Sequence, residues 1–349
     1  MKRRLIALGL ALALAGCGNA PAVPEGTKVF TYASAYPATH PFSRADLVWM
    51  RWLEAHSGGR IRIKPYWGGA LLSSNENLLE IRHGIADIGM ITPMYARSAH
   101  LQRIQPSFYS GIGTIRDQVD IYKCLSTTFP AMDADTGGLH VLAVQGGNFP
   151  GILTRDRPIR TLADLKGLRL RAQEDTAAIL RQLGADPVNM SMAEVYPAMA
   201  KGVIDGVVAP LDALKAVHLA DVGRYFSTLK VPRGAYPGRA MSAAAWQRLS
   251  AEDKALFEQA RRVWEQAMVA QLEEALAAGD SYSHAEGIRF VQLPAAEQAK
   301  FDAMYRANAM RLAASLGNYG IDGVAIADRA AELVADRNGG RPLSCGGRQ

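Results

Sequence analysis

Apolar and polar residues along this chain follow two rhythms, one of period two and one near 3.6, and the switches between them mark strands and helices. Val29–Ala33 is a predicted first strand. Ser43-x-x-Asp46 reads as a capping box opening a helix through Ala55, ended by Gly58-Gly59. Ile61-Arg-Ile-Lys-Pro-Tyr66 alternates as a second strand. Ser73-x-x-Glu76 caps the next helix, Gly84 stops it, and Ile88–Ile91 forms a third strand. Leu139–Val144 is a short apolar run, the pattern of a buried strand crossing toward a second lobe. Thr161-x-x-Asp164 and Ser191-x-x-Glu194 cap two more helices. Ser250-x-x-Asp253 opens a long one whose apolar face is Leu256, Phe257, Ala260, Val263, Trp264 and Ala267. Such alternation predicts an α/β protein with a mostly parallel sheet in each lobe.

An internal echo supports two similar lobes. Gly84-Ile-Ala-Asp87 and Gly202-Val-Ile-Asp205 each follow a helix and lead into a strand, the glycine supplying a left-handed helix end. The equivalent strand ends, Thr92 and Ala209, then face one cleft. The two aspartates read as turn residues that bond local backbone.

The chemistry concentrates at Leu168-Arg-Leu-Arg171, where apolar and cationic residues alternate and Arg171 falls at the strand's C-terminal end. Ligands of open α/β sheets bind just outside those ends, and a guanidinium offers a flat fork of donors for a carboxylate. Thr161-Leu-Ala-Asp-Leu-Lys-Gly-Leu-Arg-Leu-Arg171 is followed, in order and at the right spacing, by Glu194-Val-Tyr-Pro-Ala-Met-Ala-Lys-Gly-Val-Ile-Asp-Gly206. The pair closely resembles the solute-binding proteins of TRAP transporters, the DctP family, and the resemblance extends more weakly from about Val29 to about Ala335.

That resemblance implies a two-lobed type II periplasmic-binding fold with a hinge and a long helix packing across the lobes. Lobe I is expected over residues 28–148 and about 236–276, lobe II over 149–235 and about 277–349. It also implies a receptor that closes around an organic anion and hands it to a small and a large membrane subunit, with Arg171 on the ligand's carboxylate and no cofactor. Arg169 is expected to pair with a structural acid. Relatives carry an asparagine where this chain has Ala209, a second arginine near Gly151 and an acid at Thr92. The remaining candidates, Tyr36, Trp67, Asn148, Phe149, Gln173, Met192 and Tyr236, make an aromatic-rich pocket. An apolar or aromatic monocarboxylate fits it better than a sugar acid. His40, after the first strand, reads as a capping or surface residue that could line the cleft.

Lys2, Arg3 and Arg4 before the apolar run Leu5–Ala15 form a signal peptide over residues 1–16, too short for a membrane span. Leu14-Ala-Gly-Cys17 looks like a lipobox, which makes Cys17 the acylated first residue, followed by a tether through residue 27. The protein is then extracytoplasmic and anchored to a membrane by lipid. Removing the leader lowers the formal charge from +6 to about +3, too mild and too evenly spread for nucleic acid. Cys124 and Cys345 remain; in an oxidising compartment they either pair or stay as free thiols. No metalloprotease, nucleophile-elbow, Cys-x-x-Cys or phosphate-loop motif occurs, and the seven histidines lack metal-ligand spacing. Asp133-Ala-Asp135 lacks the oxygen ligands of a calcium loop. A receptor for apolar ligands with a structural Arg171, an exported enzyme and a scaffold lipoprotein stand as the alternatives.

Overall fold

The computed structural model describes residues 26–346; the leader, Cys17 and the tether up to residue 25 lie outside the described residues. Lobe I begins with β1 (Lys28–Ala33), α1 (Pro41–His56), β2 (Ile61–Tyr66), α2 (Asn77–Arg82) and β3 (Ile88–Met90). Helices α3 (His100–Ile104), α4 (Ile115–Thr128) and α5 (Ala131–Ala134) lead to β4 (His140–Gln145). The chain then enters lobe II with β5 (Pro150–Thr154), β6 (Arg169–Arg171), α6 (Glu174–Gln182), β7 (Asp186–Val188), α7 (Met192–Ala200) and β8 (Gly206–Pro210). After α8 (Asp212–Ala216) and β9 (Tyr225–Ser227) it returns as β10 (Tyr236–Met241), α9 (Ala243–Gln247) and α10 (Ala251–Ala285). β11 (Arg289–Val291), α11 (Ala295–Ser315) and α12 (Gly323–Asn338) complete it.

The lobe I sheet has the order β2-β1-β3-β10-β4, and the lobe II sheet β11-β9-β5-β8-β6-β7. Both sheets are mixed rather than mostly parallel. Each contains a parallel trio, β2-β1-β3 or β7-β6-β8, closed on one side by an antiparallel strand, β10 on β3 and β5 on β8. The βαβ crossovers require parallel pairing only within each trio. The closing strands follow the two passages between lobes, which deliver the chain from the opposite direction.

Side-chain caps mark several of the helix starts. Ser191 forms a full capping box with Glu194, and Ser250 Oγ accepts from the Asp253 amide. Thr161 and Asp164 form a capping box too, but it heads only a single 3-10 turn, Leu162–Leu165, and not the helix expected there. Gly84 and Gly202 take φ of +79° and +70°, the left-handed ends expected of them. Two starts differ. α1 begins at Pro41, with His40 Nδ1 accepting from the Phe42 amide at 3.2 Å. Ser43 is therefore inside the helix and Asp46 turns into the core. In the 73–76 region Ser73 Oγ accepts from the Glu76 amide at 3.1 Å, forming a turn one step before α2.

The long helix α10 spans 35 residues. Phe257, Trp264 and Met268 fill the lobe I core, while Tyr282 packs on lobe II. The C-terminal segment does not stay with lobe II as expected. Phe301 and Tyr305 of α11 enter the lobe II core, but Ile326, Ala330 and Leu333 of α12 enter that of lobe I. Cys345 is joined to Cys124 of α4, which fastens the tail to lobe I. Among the described residues, no helix is long and apolar enough to cross a membrane.

Candidate functional site

β6 pairs with β8 on one side and β7 on the other, so Arg171 occupies the end of a central strand. Strand alternation gives Arg169 and Arg171 one face, yet only Arg171 is buried, at 2% exposure. Arg169 stays exposed, 3.6 Å from Asp186. Arg171 Nε donates to the Met190 carbonyl at 2.9 Å, and Nη2 donates to the Tyr95 hydroxyl at 2.6 Å. Tyr95 lies in a single turn, Pro93–Tyr95, just after β3, so this bond crosses from lobe II to lobe I. Arg103 of α3 and Glu174 of α6 make a second crossing at 3.2 Å. Two side-chain contacts thus join the lobes.

Between the lobes is a cavity of about 70 Å³ lined from both. Of the residues expected there, Tyr36, Thr92, Arg171, Gln173, Met192 and Tyr236 line it. Thr92 is already satisfied: its hydroxyl donates to the Ser74 carbonyl at 2.6 Å and accepts from Asn77 at 2.6 Å. Four expected residues are elsewhere. Ala209 is fully buried in the lobe II core; Val208 and Pro210, on the opposite face of β8, line the cavity instead. Trp67 packs against Tyr32 at 5.5 Å between ring centres, and Phe149 against the lobe I core. Asn148 Nδ2 bonds Asp212 at 2.8 Å and the Leu272 carbonyl at 2.9 Å, tying the first interlobe passage to α8 and α10. Gly151 sits inside β5, where a Cβ would come within 2.5 Å of Phe226, so no arginine fits there.

The sequence reading missed Tyr95, Arg233, Asp175 and Thr176, all of which line the cavity. The cavity therefore holds more than one fixed charge. Burial pushes the Asp175 carboxyl up to about 6, against bonds from Tyr305 and Thr176 and the charge of Arg233. Tyr36 is held well above the usual phenol range by burial, with Tyr95 and Tyr236 adding to the rise and Arg171 and Arg233 opposing it. His40 stacks on Tyr36 at 4.0 Å, and burial together with the charges of Arg239 and Arg44 drives it down to about 3, so it is neutral. Behind the wall, Arg239 and Asp46 form a bidentate pair at 2.6 and 3.1 Å, both almost wholly buried. Arg239 also donates to Gln145 Oε1 at 2.9 Å, and Gln145 donates to the Tyr236 hydroxyl. Among the described residues no cluster of His, Cys, Asp and Glu could hold a metal ion.

Two lobes closing on a charged cleft, joined by two strand passages and one long helix, define a solute-binding protein. The family model of the bacterial extracellular solute-binding proteins, family 7 (DctP), matches residues 32–314, and the chain belongs to that family of TRAP-transporter receptors. A solute-binding protein of Roseobacter denitrificans is 29% identical over 149 residues, 42% of this chain and 46% of that protein. The match thus spans less than half of that relative's length. A TRAP solute-binding protein of Rhodoferax ferrireducens, crystallised with copurified benzoate, superimposes with a TM-score of 0.81 at 22% identity, covering 90% of this chain and 99% of that one. One from Bradyrhizobium, in complex with galacturonate, gives 0.74 at 22% identity over 88% and 100%.

Proposed function

We propose that this protein is the extracytoplasmic receptor of a TRAP-type transporter and that its ligand is a small organic acid with an apolar or aromatic body. One observation carries the reading. Arg171 is almost fully buried in the interlobe cavity, and among the described residues no carboxylate lies within 4.0 Å of it. A buried cation without a counter-ion is costly, and a ligand carboxylate supplies the missing charge. Nη1 and the remaining donor of Nη2 are free of the bonds to Met190 and Tyr95, which suits a bidentate contact.

The body of the ligand follows from the rest of the wall. Phe42, Met94, Met192, Val208, Tyr36 and Tyr236 surround it. The cavity is far below the ~300–1,000 Å³ of clefts for drug-sized molecules, which favours a compact acid. Neighbours of one fold hold benzoate in one case and galacturonate in another, so the ligand must be argued from the wall. Closure is favoured by whatever affinity the ligand gains from touching both lobes. The receptor works by binding and release, with no covalent chemistry, delivers its anion to the two membrane subunits, and is held at the membrane by lipid on Cys17.

Native mass spectrometry of the purified protein, followed by a thermal-shift screen of organic acids, tests the reading. A copurified or stabilising aromatic or aliphatic monocarboxylate is expected. A screen dominated by sugar acids would overturn the ligand class, and stabilisation by uncharged apolar compounds alone would overturn the role of Arg171. Mass spectrometry of the mature N-terminus is expected to find an acylated Cys17; an unmodified one contradicts the anchor.

A further inference from the structure

We propose that Arg233 and Asp175 together hold a hydroxyl group of the ligand, so that the acid seated on Arg171 is a hydroxylated one. The inference rests on carboxylate binding at Arg171 and names the second group that this site reads.

Asp175 stands in the first turn of α6, is 4% exposed and lines the cavity. Its carboxylate accepts from the Tyr305 hydroxyl at 3.1 Å and faces Thr176 Oγ1 at 3.4 Å. Arg233 comes from the second passage between lobes and lines the same cavity. Its guanidinium lies on the bare backbone of Gly147, where a Cβ would approach Cζ to 2.4 Å, and reaches the Asn148 carbonyl at 3.3 Å. Among the described residues it has no carboxylate within 4.0 Å, although the charges of Arg233 and Asp175 act on each other. A cation and an anion thus face one cavity without closing on each other.

Ligand chemistry decides what fits between them. A keto group accepts from Arg233 but offers Asp175 no donor. An ammonium serves Asp175 and is repelled by Arg233, and a second carboxylate does the reverse. A hydroxyl accepts from the guanidinium and donates to the carboxylate at once. Among the residues that line the cavity, two guanidiniums face one carboxylate, Asp212 being held behind it by Asn148, and the carboxylate of a monocarboxylate evens that count. Buried polar groups left unpaired by the wrong substituent are what give such sites their discrimination.

Calorimetry with the purified chain tests this on matched ligands: benzoate and phenylacetate, their 2-, 3- and 4-hydroxy derivatives, and the corresponding methyl ethers. At least one hydroxy isomer is expected to bind about tenfold or more tighter than its parent. Its methyl ether, which accepts but cannot donate, is expected to lose that advantage without any change to the protein. Asp175→Asn and Arg233→Met are expected to bring the ratio of hydroxylated to parent affinity close to one. Equal affinity of parents and all isomers, with binding still lost in Arg171→Ala, overturns the hydroxyl site alone. Parent affinity retained in Arg171→Ala, or no binding by any acid of the panel, overturns the carboxylate reading and this inference with it.

Discussion

Lobe I and lobe II are built on the same unit, β1-α1-β2-α2-β3 in one and β6-α6-β7-α7-β8 in the other, with the first strand central in both trios. Even the αβ corner repeats. Asp87 accepts the Thr31 amide of β1 at 2.8 Å, and Asp205 accepts the Arg169 amide of β6 at 2.7 Å. What differs is how each lobe treats its polar groups near the cleft. Lobe I satisfies them internally: Thr92 with Asn77 and Ser74, and Asp46 with Arg239, Tyr32 and Trp264. Lobe II turns Arg171 and Asp175 into the cavity with few partners of their own. One frame thus yields a lobe that supplies shape and a lobe that supplies charge. The backbone repeat fixes where a ligand sits, and side chains at strand ends decide what it is.

Breaking the self-satisfied side is expected to have the largest effect. Arg239→Met leaves Asp46 buried without its cation and should cost about 3–5 kcal/mol of stability. Its cavity-facing consequence is loss of the anchor on Gln145 and hence on Tyr236. Urea unfolding checks this; a loss below about 1 kcal/mol would show that Asp46 needs only Tyr32 and Trp264.

Asp175 gives a smaller, pH-dependent effect from the charged side. Burial pushes its folded carboxyl up to about 6, above the ordinary aspartate value of about 3.9, so the folded state binds more protons between those values. Stability therefore falls as pH rises through that window and levels off above it. Asp175→Asn removes the effect, and the variant's advantage should grow from near zero at the acid end to about 3 kcal/mol above pH 7. Parallel stability profiles for the two proteins would contradict the burial argument.

The smallest effect is expected at Arg103–Glu174, a partly exposed pair across the cleft. Such pairs contribute about 0–1 kcal/mol, so Arg103→Ala should weaken ligand binding by no more than about fivefold. A larger loss would mean that closure depends on this contact more than on the ligand.

Legibility in the sequence followed the range of the forces involved. Strands of period two, and helices capped by Ser191 and Ser250, were readable because their causes lie within four residues, whereas the Thr161 box heads only the single turn Leu162–Leu165. Arg171 was readable because strand parity and strand end coincide there. Ser43-x-x-Asp46 misled because Asp46 answers to Arg239, 193 residues away, and to Trp264. Ala209 misled by one residue, which in a strand exchanges the cavity face for the core. Tyr95, Asp175 and Arg233 lie in a single turn, at a helix start and in a passage between lobes. No periodicity marks such positions; only the closing of two lobes brings them together.

Lobe II is expected to supply the ligand's charge partner through Arg171. Calorimetry of Arg171→Ala with the acid found by native mass spectrometry tests it most directly, alongside circular dichroism to show that the fold is kept. Loss of a charge-assisted bidentate contact in a closed cleft should weaken binding by about 2–5 kcal/mol, and Arg171→Lys should recover little of it because a point charge cannot reproduce the fork. A folded Arg171→Ala protein that binds the acid with near-normal affinity would contradict the account.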